Sequence, residues 1–244
     1  MTKQANVMVA VPSGSSWNAD TVMCMVSMVA HSMGNKAAGY DHVQLSVQNT
    51  KGSILPKSRD RLVDAAKEKG ATHILFIDSD MTFPVSTLNE LLAWDEMVVA
   101  ANCATKSIPS HPTARNKKEG DMGGELIFTT PDKVEGHVLE QCWRVGCGVM
   151  LINMKVFEEL EKPYFPIEWN EQYEQYVGED WGFCHKCEAV GIPLHVDHYL
   201  SSGIGHCGQH TYTHEDVLLT HPDVRERYQL DFINNINSYE EEVA

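Results

Sequence analysis

The chain has 244 residues, 43% hydrophobic and 22% charged, a globular composition that excludes disordered and fibrous classes. Its formal net charge of −15 argues against a surface coated in basic residues for non-specific nucleic-acid binding, and no apolar run approaches the roughly 20 residues needed to cross a bilayer. Seven cysteines without a dense framework suit reduced thiols in a cytoplasmic setting, and the run Val7–Val11 before Pro12 is too short for a signal peptide.

"NVMVAVPSG" (6–14) predicts a strand closed by Pro and Gly, and residues 18–34 a helix capped by Asn18 or Asp20, its methionines and valines packing a broad core face. "HVQLSVQN" (42–49) alternates as a strand should. "SRDRLVDAAKEKG" (58–70) predicts a helix with Leu62, Val63 and Ala66 inward and Arg61 outward. Then come strand "HILFID", helix "VSTLNELLAW" and strand "MVVAANC". This β-α-β-α-β-α-β order predicts an α/β fold, a parallel sheet with helices on both faces. Residues 105–140 are irregular, with a hairpin expected around "GELIFTTPDKVEGHVLE". After them a strand and short helix (142–160), a helix at 178–191, the strand "IPLHVDHYL" and an acidic, helical tail from Asp216 are expected. One domain is expected throughout: a nucleotide-binding half to about residue 104, an irregular half to about 215, and the tail.

Chemistry concentrates in "THILFIDSDMTFP" (72–84), where a buried strand runs directly into Asp78-Ser79-Asp80. In an open α/β sheet, ligands sit beyond the carboxyl ends of the strands. Two carboxylates there repel unless a cation intervenes, and Mg²⁺ or Mn²⁺ suits such oxygen ligands and bridges them to phosphate. The bland alternative is a solvated turn with a helix cap. The surroundings are less acidic than the rest of the chain: residues 51–118 hold ten Lys/Arg against eight Asp/Glu. Arg59 shares the inward face of Leu62 and Ala66, where either a nucleotide anion or a carboxylate of the protein would satisfy it.

"RDRLVDAAKEKGATHILFIDSDMTFP", "GCGVMLINMKVFEEL", "GEDWGFCHKCEAVGIPLHVD" and "IGHCG" together resemble small GT-A-fold glycosyltransferases, especially those encoded by bacteriophages, in order from about residue 5 to about 210. The resemblance implies a metal-dependent enzyme that moves a sugar from a nucleoside diphosphate to an acceptor hydroxyl, working in the host cytoplasm. Asp78, Asp80 and His206 would form the metal site: Asp80 would ligate the ion directly, Asp78 would hold a metal-bound water or the ribose, and His206 would add a third ligand from another strand. Pro12, Ser13, Arg59, Asp78 and Ser79 would hold the donor. Asp180, beside Glu179, would be the base of an inverting transfer; read alone, "GED" points instead to a helix N-cap with an acidic first turn. Gly146, Cys147, Gly148 and Trp181 would line the acceptor side, and Trp181 or Trp143 could stack on a sugar or base.

A modified base in phage DNA is the acceptor this resemblance favours, with surface glycan or protein as alternatives, and a non-catalytic nucleotide-sugar-binding module as a different class. "SHPTARNKK" (110–118) then offers Arg115, Lys117 and Lys118 to phosphates. A competing zinc site would draw on Cys184, Cys187, His195, His198 and Cys207, in a histidine-rich stretch that includes His210 and His214. Against it, "FCHKCEAVG" reads as continuous helix.

Overall fold

Strand propensity and two-sided apolar patterning in the first hundred residues supply four strands of a central sheet, and later segments supply three more. The computed structural model describes residues 3–35, 37, 39–208, 211–221, 223, 224 and 226. In chain order the elements begin with β1 (Gln4–Ser13), α1 (Ala19–Gly34), β2 (His42–Lys51), α2 (Leu55–Glu68), β3 (His73–Ile77) and β4 (Met81–Thr82). They continue with α3 (Thr87–Ala93), β5 (Val98–Ala100), β6 (Arg115–Lys118), β7 (Asp121–Leu126), α4 (Pro131–Glu135) and β8 (Leu139–Cys142). Next are β9 (Val149–Asn153), α5 (Val156–Glu159), β10 (Glu168–Asn170), β11 (Gln175–Val177) and α6 (Glu179–Ala189). Last come β12 (Leu194–Asp197), α7 (His198–Ser202), β13 (Gly205–Cys207), β14 (Thr211–Tyr212) and α8 (His214–Thr220).

The central sheet has the order β2-β1-β3-β9-β5-β12-β8. β1, β2 and β3 are parallel, and β5 and β12 run the same way, because β9 lies antiparallel between β3 and β5. β8 closes the edge antiparallel to β12. Alternation along each strand feeds both faces: Met8, Ala10, Ile74 and Phe76 join Leu62, Phe157, Phe165 and Phe183 on one side. Val7, Val9, Leu75 and Ile77 join Met25, Met28, Leu88 and Leu91 on the other. The doubly covered, mostly parallel sheet read from the sequence is the sheet observed.

Several local expectations are corrected. α2 begins at Leu55 because Pro56 suits a first helical turn. The α1 face is only partly core: Met25 and Met28 are buried, whereas Met23 and Met33 are 63% and 78% exposed. The hairpin lies earlier than expected, as β6 paired with β7, because Pro131 cannot donate to a ladder and instead opens α4. "IPLHVDHYL" is strand only to Asp197, whose side chain caps α7 by accepting from Leu200 N at 2.9 Å. The tail starts a helix at His214 with a Thr213–Asp216 capping box; its continuation to 244 lies largely outside the described residues.

α6 packs on the backbone at Pro166 through Gly182, where an added Cβ would stand 2.0 Å from the Pro166 carbonyl oxygen. Gly182→Ala is therefore expected to cost about 1–3 kcal/mol. Chemical denaturation checks it, with Gly34→Ala, whose Cβ would meet open space, as the control. Equal stabilities for the two variants would show that α6 does not depend on this contact.

Candidate active site

The carboxyl ends of β1, β2, β3 and β5 share one edge of the sheet, and there the β3 tip is tied down by its backbone. Asp78 N donates to Gly148 O at 2.9 Å, Asn18 N to Ser79 O at 2.8 Å and Cys207 N to Asp80 O at 2.7 Å. Three distant segments thus hold Asp78-Ser79-Asp80 in one conformation, with the Asp78 and Asp80 side chains 26% and 37% exposed. Gly148 reaches Asp78 because the antiparallel β9 starts where β3 ends, Val149 facing Ile77.

Arg59, on the inward face of α2, is 1% exposed. Its Nη2 donates to Asp78 Oδ1 at 2.9 Å and its Nε to Glu179 Oε1 at 3.4 Å. The guanidinium also lies 5.4 Å from the Phe76 ring centroid and 6.0 Å from that of Phe165. Burial disfavours the Arg59 charge, but Asp78 foremost among its acidic neighbours outweighs that and raises its pKa. Asp78 itself is raised, by burial first and by the nearby Asp80 and Glu179 charges, against the pull of Arg59. Nη1 of Arg59 is buried without a hydrogen-bond partner.

Asp80 turns the other way. Its Oδ1 stands 3.6 Å from His206 Nε2, and its Oδ2 pairs with the Lys106 ammonium. Burial opposes the Asp80 charge, yet His206 and Lys106 outweigh it and hold the pKa at about 2. His206 arrives through a small sheet, β14-β13-β4, in which it faces Met81. Gly205 makes that pairing possible: a Cβ there would meet Thr82 Oγ1 at 2.4 Å, so this glycine makes room for β4 rather than for a ligand. His206 Nδ1 donates to Ala104 O at 2.9 Å, which leaves Nε2 facing Asp80.

α6 starts after Gly178 with no side-chain cap, so Glu179 and Asp180 occupy its first turn rather than capping it. Asp180 accepts the Trp181 N–H at 2.8 Å. Burial, with Glu179 alongside, pushes its pKa up to about 6. Arg59 feels Asp78, Glu179, Asp180 and Cys147 together, which places the α6 start beside the β3 tip.

The remaining candidates scatter more. Pro12 and Ser13 end β1 at the same edge, where Ser13 Oγ accepts from Asn49 at 2.8 Å. Cys147 is buried with its thiol 3.7 Å from Met150 Sδ and within the electrostatic reach of Arg59, Gly148 O accepts from Asp78 N, and Gly146 abuts Thr113. Trp181 and Trp143 sandwich the buried Arg144, whose guanidinium lies 4.5 and 3.6 Å from their ring centroids. Trp143 also lines a cleft of about 490 Å³ with Lys117, Glu188 and Leu194, apart from the β3 tip. Lys117 pairs with Glu188 and Lys118 with Asp121, while Arg115 is partly buried in β6. Cys184 and Cys187 are buried free thiols on one face of α6, and among the described residues no three His, Cys, Asp or Glu side chains form a metal cage. His210 lies outside the described residues.

Three contributors went unread in the sequence. Lys106 is a lone cation in a Pro/Ser-rich loop, and its only signal is its place just beyond a strand's carboxyl end. Arg144 carries no pattern at all. Asn102, fully buried, bonds Ile127 O through Nδ2 at 2.7 Å and Ala114 N through Oδ1 at 2.9 Å, anchoring the loop that bears Lys106.

No family model and no curated protein matches this chain. Among solved structures it is similar to A197 from STIV, at 13% identity over 83% of this chain and 86% of that one, with a TM-score of 0.51. It is also similar to GalNAc-T7 with UDP, GalNAc and Mn²⁺, at 12% identity over 83% of this chain, TM-score 0.51. The chain spans 43% of the length of that GalNAc-T7 chain. These likenesses show the fold: a GT-A-like α/β architecture, a mostly parallel sheet flanked by helices.

Proposed function

We propose that this protein is a glycosyltransferase that moves a sugar from a nucleoside diphosphate to an acceptor hydroxyl with inversion. The observation that carries the reading is Arg59, which binds the β3 tip through Asp78 and the α6 start through Glu179 at once. A donor-binding tip and a candidate base are thereby held together. The similar GalNAc-T7 structure contains UDP, GalNAc and Mn²⁺, which supports a metal and a nucleotide sugar as ligands here.

The residues fit a divalent ion. Asp80 and His206 present one oxygen and one nitrogen 3.6 Å apart, the Nδ1 bond to Ala104 O fixing the histidine. Two protein ligands suffice where substrate phosphates supply others. Bound there, Mn²⁺ or Mg²⁺ would neutralise charge on the departing diphosphate. Asp78 stays paired with Arg59 and is held away from the ion.

In the transfer, the acceptor oxygen attacks the anomeric carbon from the side opposite the diphosphate and forms the new C–O bond. The bond from that carbon to the diphosphate oxygen breaks, its electron pair staying on the diphosphate. The hydroxyl proton passes to the Asp180 carboxylate. An Asp with a pKa of about 6 is well matched to this role near neutral pH.

Asp180 works as a base only when ionised, so turnover at saturating donor should rise with pH through about 6 and level off above it. Asp180→Asn should keep donor affinity, lose about 10²–10⁴ in turnover and lose that limb. A variant with normal turnover would return the α6 start to a purely structural role.

Asp80→Asn should leave the fold intact and abolish Mn²⁺-dependent binding of nucleoside diphosphates, because one of the two protein ligands is lost. Calorimetric titration with and without Mn²⁺ checks this, and undiminished binding would place the metal elsewhere.

Duplex DNA as acceptor finds little support in the β6–β7 hairpin, since Lys117 and Lys118 pair with Glu188 and Asp121. Replacing Arg115, Lys117 and Lys118 together by Ala should therefore leave retention of modified and unmodified duplexes unchanged in filter binding at two salt concentrations. A drop in affinity with a flatter salt dependence would instead restore the DNA reading.

A further inference from the structure

Lys106 sits in a closed loop that runs from Ala104 to Pro112. Its neck is joined by the Ala104–Pro112 bridge and by Thr105 N donating to His111 O at 2.9 Å. Inside it, Thr105 Oγ1 and Ser107 Oγ lie 2.8 Å apart, and Ser110 Oγ donates to Thr105 O at 2.9 Å. The loop thus has a defined shape that delivers the Lys106 ammonium to Asp80 Oδ2. Oδ1 of the same carboxylate faces His206 Nε2.

The two basic side chains at the β3 tip differ in freedom. Arg59 is buried between two carboxylates and cannot leave. The Lys106 side chain is 33% exposed on a flexible four-carbon stem. A divalent ion ligated by Asp80 would take over the negative charge that now holds the ammonium, and two cations on one carboxylate repel. The closed neck keeps the displaced ammonium nearby. The diphosphate of a bound donor is then the anion it meets.

We propose that Lys106 holds the Asp80 carboxylate before the ion binds and transfers to the donor diphosphate once ion and donor are in place. Lys106 is thereby a donor-binding residue that also weakens binding of the ion alone, so that ion and diphosphate bind better together than separately. This rests on the nucleotide-sugar reading of the site.

The test measures two affinities with opposite expected signs in the full chain. Free Mn²⁺ is titrated by electron paramagnetic resonance, and inorganic pyrophosphate is titrated calorimetrically at saturating Mn²⁺. Lys106→Met should bind Mn²⁺ alone up to about fivefold more tightly, the scale of an exposed ion pair removed. It should bind pyrophosphate about tenfold or more weakly, as expected for a lost charged hydrogen bond. Lys106→Arg should restore much of the pyrophosphate affinity. An unchanged or weaker Mn²⁺ affinity in Lys106→Met overturns the exchange, as does an unchanged pyrophosphate affinity. Loss of both affinities with a lower melting temperature would make Lys106 a structural anchor of its loop and also overturns it. A parent protein with no saturable Mn²⁺ binding sinks the Asp80–His206 metal seat and this inference together. Saturable parent binding that Asp80→Asn abolishes and Lys106→Met leaves unaltered sinks the inference alone.

Discussion

A guanidinium cannot shed its charge inside a protein, so the buried Arg59 obliges the fold to bring carboxylates to it. Asp78 comes from the tip of β3 and Glu179 from the first turn of α6. Removing one partner of such a buried pair leaves an uncompensated charge, commonly a loss of about 3–5 kcal/mol. The pair therefore acts as a geometric constraint: the α6 start must lie against the β3 tip wherever the rest of the chain runs. Phe76 and Phe165, in edge-to-face contact with each other, cover one side of the guanidinium. The low-dielectric surroundings of that pair are also those that raise Asp180.

The second half of the site adds backbone pairing to charge. β13 pairs with the two-residue β4 and sets His206 beside Asp80, and Gly205 permits the close approach. Asn102 does similar work one strand away. Its side chain bonds the backbone at Ala114 and Ile127, and its own N–H donates to Ser201 Oγ at 2.8 Å. The loop with Lys106 and the strand with His206 are thus referred to the same buried frame. Two tethers of different chemistry meet at Asp78-Ser79-Asp80, the Arg59 ion pair on the Asp78 carboxylate and strand pairing on the Asp80 backbone.

The aromatic candidates illustrate a competing demand. Trp143 and Trp181 are suited to stacking on a sugar, yet they enclose Arg144, which also donates to Met122 O at 2.7 Å and pairs with His185. A cation between two indoles stabilises the side of α6 away from Arg59. These rings hold the helix that carries Asp180.

From the sequence alone came what periodicity and local chemistry encode. The four strands other than β4 and the three helices of the first hundred residues, the inward face of α2 with Arg59, the outward Arg61, a cap at Asn18 or Asp20 and the carboxylate pair at a strand tip all follow from spacings of two to seven residues. The grouping of Asp78, Asp80, Glu179, Asp180 and His206 was legible only through resemblance, because no local rule links positions so far apart. Tertiary structure decided the partners: Arg59 meets Glu179 across 120 residues, and Lys106 meets Asp80 across 26. It also decided that β9 enters the sheet antiparallel between β3 and β5, which brings Gly148 to Asp78. The physical reason is the same in each case. A segment's pattern states which face it buries, whereas sheet order and the neutralisation of buried charge depend on every other segment competing for that face.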